Sequence, residues 1–278
     1  MPCLGRNAVD VAMRATTDFK LRKKIINEAF RMLSESNYDM PPPFYAGKIF
    51  DIAGKYVDIS GIYAAEKTQS NLFAGKLLDK LSEINGYDQN DFESRLRLAV
   101  AGNILDFGIF QNLDMSHALE IIRCSLLAPV DRKAVERIEK RINSAEKILY
   151  LLDNCGEAVF DRVFMEPFRH KVVIGVRGRE IFNDVVQEDL PGCQMADFTC
   201  KIVSNGCGIP GTVTGLCSDE FMDEFNTADL IIAKGQGNFE TLNDSEAPVA
   251  FLFMAKCPVV AGLLGVQLNS IQLRTINF

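Results

Sequence analysis

Histidine occurs only twice in the 278 residues, at His117 and His170, and none of the eight cysteines forms a C-x-x-C pair. A zinc ribbon or finger is therefore disfavoured. Positive charge is also short. Thirty Lys and Arg stand against 37 Asp and Glu, giving a net charge of -7, and no basic stripe alternates with aromatic residues. Nucleic acid is not an expected partner. The N-terminus, Met1-Pro2-Cys3-Leu4-Gly5-Arg6, lacks the apolar core of a signal peptide, so a cytoplasmic location is expected. The longest apolar stretch, 247–268, is cut by Lys256 and Pro258 and reads as two buried strands rather than a membrane span. No membrane role follows. Internal repeats and low-complexity linkers are absent as well.

What is present suits a globular chain, with 47% hydrophobic and 24% charged residues. In a reducing compartment the cysteines read as small apolar packing residues, with Cys155 set apart by the motif around it. The first half reads as helix. Phe19, Ile26, Phe30 and Leu33 recur on one helical face, as do Phe73, Leu77, Leu81 and Ile84. Asn90 is placed to cap a helix running through Leu96, Val100 and Ile104, and Ser116 and Asp131 to open two more. After residue 145 the period changes. Short apolar runs at 148–152, 172–176, 230–233, 249–253 and 259–261 suit strands buried on both faces of a largely parallel sheet, with helices at 157–168 and 218–227 between them. The expected fold class is α/β: a helical N-terminal domain, 1–144, packed on a C-terminal α/β/α layer, 145–278. Residues 96–144 could equally join the second domain.

In such a sheet, ligands gather beyond the carboxyl ends of the strands. The first run ends in Asp153-Asn154-Cys155-Gly156-Glu157, where Asn154 and Glu157 could also serve as a helix cap and capping box. The second run is followed by Arg177 and then by Asn183-Asp184. A glycine-rich stretch, Lys234-Gly235-Gln236-Gly237-Asn238-Phe239-Glu240, follows the next run and reads as a loop whose amides can approach an anion. Lys256 interrupts an apolar stretch, so it either snorkels to water or meets an anion. Carboxylate and carboxamide oxygens suit a divalent cation and lysines suit phosphate, which points to a metal-assisted phosphoryl site.

Taken in order, Leu152 to Glu157 with Phe160-Asp161, then Asn183-Asp184, Ile209-Pro210-Gly211-Thr212, and Ala228-Asp229 leading to the 234–242 stretch resemble the damage-control phosphatase family. Ala101 to Gly108, and Lys67 with Asn71, resemble weaker signatures of that family upstream. Phe253 stands where the eukaryotic branch has arginine, so the chain is similar to the compact prokaryotic branch. The resemblance implies a helical domain joined to an α/β/α one. It also implies metal ligands at Asp153, Asn154 and Asp184, a substrate-binding stretch from Gln236 to Glu240 that includes Gly237 and Asn238, and a phosphate-contacting lysine at Lys256. Lys234 is a further candidate. Only Cys3 lies near the N-terminus, which speaks against a second, thiol-bound metal.

The function so implied is a divalent-metal-dependent phosphatase of small phosphorylated metabolites, with sugar phosphates or damaged phosphometabolites as the class and manganese, cobalt, nickel or magnesium as the cofactor. Asp153 and Asp184 are the candidate catalytic groups, and either water or Asp153 could attack phosphorus. Asn154, Glu157 and the helix N-terminus behind Gly156 add to the substrate side. The helical half is expected to cover the carboxyl edge of the sheet, bringing Asn103 and Asp106, and less closely Lys67 and Asn71, to the cleft. A methyltransferase using S-adenosylmethionine on carboxyl groups and a non-catalytic metabolite-binding module are the alternatives. The oligomeric state is left open.

Overall fold

The computed structural model describes residues 2–84, 86–103, 115–198 and 201–278. Asp106 lies outside the described residues. The chain starts with three helices, α1 (Pro2–Ala15), α2 (Phe19–Glu35) and α3 (Pro42–Gly54), which share a core of Leu4, Val11, Ile25, Leu33, Ile49 and Phe50. The buried face of α2 is Ile25, Ala29 and Leu33. Phe19 and Phe30, expected on that face, are instead 78% and 45% exposed. Leu33 is common to the expected and observed faces, while Phe30 lies at the edge of the helix contact with its ring against Gly5 of α1.

Helices α4 (Ala64–Leu78), α5 (Phe92–Gly102) and α6 (Met115–Leu127) enclose a second cluster, where Ala74, Leu77, Leu98 and Ile122 meet Val159 and Phe160. Asp91, not Asn90, caps α5, accepting from Ser94 N–H at 2.7 Å. Helix α7 (Arg132–Ser144) lays Ala134, Val135, Ile138 and Ile142 on the sheet.

Among the described residues the sheet has six strands in the order β3-β2-β1-β4-β5-β6. They are β1 (Ile148–Leu151), β2 (Val172–Val176), β3 (Lys201–Ser204), β4 (Leu230–Lys234), β5 (Val249–Met254) and β6 (Ile271–Ile276). All pairs are parallel except β5 with β6. Alternate residues feed opposite faces, as the strand period requires. Tyr150, Ile174, Ile232 and Leu252 pack under α5 and α7. Leu149, Leu151, Ile231 and Phe251 pack against Phe221 of α9 (Asp219–Thr227) and Phe239 of α10 (Gly235–Leu242). Two buried faces explain the unbroken apolar runs. Between β1 and β2 runs α8 (Glu157–Met165), extended by a 3₁₀ turn over Glu166–Lys171.

Two further expectations of local structure fail. The run at 259–261 is not a strand but lies in helix α11 (Pro258–Leu264), with Pro258 in its first turn and left-handed Gly265 closing it. The glycine-rich stretch after β4 is not a loop but the start of α10, beginning directly at Gly235. Strands β3 and β6 had no predicted counterpart. One is a four-residue edge with a single fully buried residue, and the other pairs antiparallel with Gln272, Arg274 and Thr275 set among its apolar residues. Among the described residues no helix is long and apolar enough to cross a membrane.

Candidate active site

Chain order reverses across the sheet between β1 and β4, the position beyond whose strand ends an open α/β sheet places its ligand crevice. Asp153 emerges there from β1. Its backbone carbonyl accepts from Val185 N–H, and Cys155 N–H donates to the Asn183 carbonyl, both at 2.8 Å. These bonds, with the antiparallel bridge between Asn154 and Asp184, lay the two acidic segments side by side. Both carboxylates are buried, at 8% and 2% exposure. Gly235 makes the approach from β4 possible. It has φ +78°, and a Cβ there would sit 1.9 Å from Asp153 Oδ2.

One guanidinium joins the acids. Arg177, at the end of β2, donates from Nε to Asp184 Oδ2 at 2.7 Å and from an Nη to Asp153 Oδ1 at 3.4 Å. Its other Nη reaches the Gly211 carbonyl and Asn238 Oδ1, both at 3.1 Å. Arg177 went unassigned in the sequence, although it follows an apolar run by the same rule that singled out the acids. Asn154 Nδ2 donates to Asp153 Oδ2 at 2.8 Å, so its amide oxygen is the atom it can turn to a cation. Lys256, half-buried, lowers the Asp153 carboxyl by its charge, as Arg177 does. Burial first, then Asp184 and Glu157, outweigh them and hold Asp153 well above the ordinary carboxylate range.

The structure places Lys234 and Glu157 differently from the expected substrate contacts. Lys234 is fully buried, and its ammonium donates to Glu157 Oε1 and Asp161 Oδ1, both at 2.5 Å, and to the Ala99 carbonyl at 2.9 Å. An ammonium has three N–H donors, and all three are used. Asp161 Oδ1 also accepts from Tyr150 at 2.8 Å, while its Oδ2 is buried without a hydrogen-bond partner. Burial, opposed by Lys234, pushes the Asp161 carboxyl up to about 7. One ammonium thus serves two buried carboxylates and leaves the second short of charge.

Asn103 caps α5 and lies on the Asp153 side, donating to Glu157 Oε2 at 2.7 Å and to Asp153 Oδ2 at 3.3 Å. It is 2% exposed, so it braces the acids from inside. Asn71 Oδ1 accepts from Gly156 N–H at 2.6 Å, which uses one amide at the start of α8. Gly156 has φ +82° and lies against Ser70, where a Cβ would meet Ser70 Cβ at 2.9 Å. Lys67 pairs with Asp189 at 2.6 Å. In α10, Gln236 donates to Glu240 at 2.6 Å and accepts from Cys257 N–H at 3.1 Å, tying the helix to the chain beside Lys256. The Gly237 carbonyl accepts from Thr241, and Asn238 is buried between Arg177, Thr212 and the Lys234 carbonyl.

The donor set fits a divalent cation. Four buried carboxylates, Asp153, Asp184, Glu157 and Asp161, face two buried cations, Arg177 and Lys234. Among the described residues no group of three or more His, Cys, Asp or Glu forms a cage. Two carboxylates and an amide suit an ion that keeps its remaining positions for water and phosphate oxygens.

A family model described as "Damage-control phosphatase ARMT1-like domain" matches residues 1–271. A damage-control phosphatase of Pyrococcus horikoshii is 34% identical over 273 residues, covering 96% of this chain and 93% of the relative. One from Archaeoglobus fulgidus is 28% identical over 282 residues, covering 99% and 97%. A crystal structure described as a DUF89 family protein from Pyrococcus horikoshii matches with a TM-score of 0.87 at 30% identity, covering 99% of this chain and 96% of that one.

Proposed function

Because the chain belongs to the damage-control phosphatase ARMT1-like family, we propose that it is a divalent-metal-dependent phosphatase of small phosphorylated metabolites, with sugar phosphates the favoured class. The observation that carries this reading is the pair of buried carboxylates, Asp153 and Asp184, sharing one guanidinium at the crevice while Lys256 stands beside them. Asp153, Asp184 and the Asn154 amide oxygen would hold the ion. When bound, it polarises a phosphoryl oxygen and lowers the pKa of a coordinated water.

The chain's own groups do the rest. Lys256 supplies positive charge to phosphate oxygens. Arg177 keeps the two carboxylates fixed while charge develops at phosphorus, and its bonds to Gly211 and Asn238 keep it from swinging out. The Lys234 cluster fixes one oxygen of Glu157, whose other oxygen shares the Asn103 amide with Asp153.

The test is a screen of phosphorylated metabolites against chelator-treated protein, with manganese, cobalt, nickel and magnesium restored in turn. Phosphate release should depend on added metal and vanish in Asp153→Ala and Asp184→Ala while both variants stay folded. Release unaffected by chelation, or full activity in either variant, would overturn the proposal.

A further inference from the structure

Residues 181–184 form a tight turn closed by Asp184 N–H donating to the Ile181 carbonyl at 3.1 Å. Its second residue, Phe182, has φ +47°, while its third, Asn183, stays out of the left-handed region. A turn with positive φ at the second residue alone is ordinarily built with glycine, because a side chain there crowds the backbone. A bulky aromatic residue in that conformation is strained and persists only where surrounding contacts over-determine it.

Those contacts lie in the N-terminal helices. The Phe182 ring meets Phe50 of α3 edge-on at 4.8 Å between centroids and Tyr63, which precedes α4, at 5.9 Å. Ile181 is completely buried in the same cluster. On its other side the turn is clamped to the end of β1 through Asn183 with Cys155 and Val185 with Asp153. The segment carrying Asp184 thus spans from the helical core to the acidic crevice, with its one strained residue seated in the helices.

We infer that Phe182 is a positioning residue for Asp184. By seating the strained turn in the helical cluster, it sets the Asp184 carboxylate against Asp153 and Arg177, so the N-terminal helices govern cation affinity without touching the ion. This inference rests on the cation reading above. Phe182→Gly suits the turn's backbone and removes the anchor, so fold and cation affinity should separate in that variant.

The experiment is Mn²⁺ titration of the full chain, with free ion followed by electron paramagnetic resonance and folding checked by circular dichroism. Phe182→Gly should remain folded and weaken Mn²⁺ binding on the order of tenfold to a hundredfold, the range for residues that orient a ligand. Phe50→Leu, which loosens the seat from the helical side, should shift binding the same way. Wild-type affinity in folded Phe182→Gly overturns the inference. If that variant unfolds, Phe50→Leu decides: weaker binding supports the inference and unchanged binding overturns it. Loss of Mn²⁺ binding in Asp184→Asn with none in Phe182→Gly removes the inference and leaves the cation reading. No binding to folded wild type removes both.

Discussion

Lys234→Met separates the buried role of Lys234 from the substrate-binding role that its place after β4 suggested. The side chain is fully buried, and its ammonium is the shared partner of Glu157 and Asp161. Methionine keeps the length and apolar stem but strands two carboxylates in the core. Removing one partner of a buried ion pair costs about 3–5 kcal/mol. For a chain of this size that corresponds to a melting temperature lower by about 10 °C. The sign of the pH dependence follows from Asp161, whose carboxyl is raised from 3.8 to about 7 in the folded protein. A raised acid favours the folded state below its unfolded pKa, and this contribution is lost as pH climbs toward the folded value. Without Lys234 the Asp161 carboxyl moves further up, so the deficit should widen as pH rises through about 7 and be larger at pH 8 than at pH 5. Thermal melts followed by circular dichroism at pH 5 and pH 8 measure it. An equal deficit at both pH values would refute the buried-charge argument. Wild-type stability with loss of phosphate release would restore Lys234 as a substrate contact.

Three further outcomes follow from the crevice. Gly235→Ala places a methyl group 1.9 Å from Asp153 Oδ2 at a backbone φ of +78°, so Mn²⁺ affinity should collapse, as titration would show. Lys256→Ala should raise KM for a phosphorylated substrate more than it weakens metal binding. Unchanged kinetics would mean that this lysine only reaches for water. Arg177→Met leaves Asp153 and Asp184 without their shared guanidinium, at a cost of about 3–5 kcal/mol. Added Mn²⁺ should then raise the melting temperature more in the variant than in wild type, and equal increments would speak against charge as the reason.

Local pattern carried far in this chain. Doubly buried strands read as unbroken apolar runs, and polar residues directly after them fall at the crevice by the rule of parallel sheets. That rule puts Asp153 and Asn154 after one run and Asp184 beyond the next among the candidates; grouping them as one ligand set came from the resemblance to the family, and the structure bridges Asn154 with Asp184. The same logic misassigned residues 259–261, where Pro258 and Gly265 outweigh the apolar run and make a helix. It missed β3, because an edge strand with one fully buried residue carries little signal, and β6, whose Gln272, Arg274 and Thr275 interrupt its apolar residues. What only the tertiary structure decided is where each charge is spent. Lys234 and Lys256 look alike in the sequence, yet one is enclosed by three acceptors while the other stands half-exposed beside Asp153. Arg177 becomes a hub only when β1, β2 and α10 converge. Phe182 gains its role through Phe50, more than a hundred residues earlier. Backbone periodicity is local and survives in one dimension. The partner of a buried charge or a strained turn is chosen by packing between distant segments.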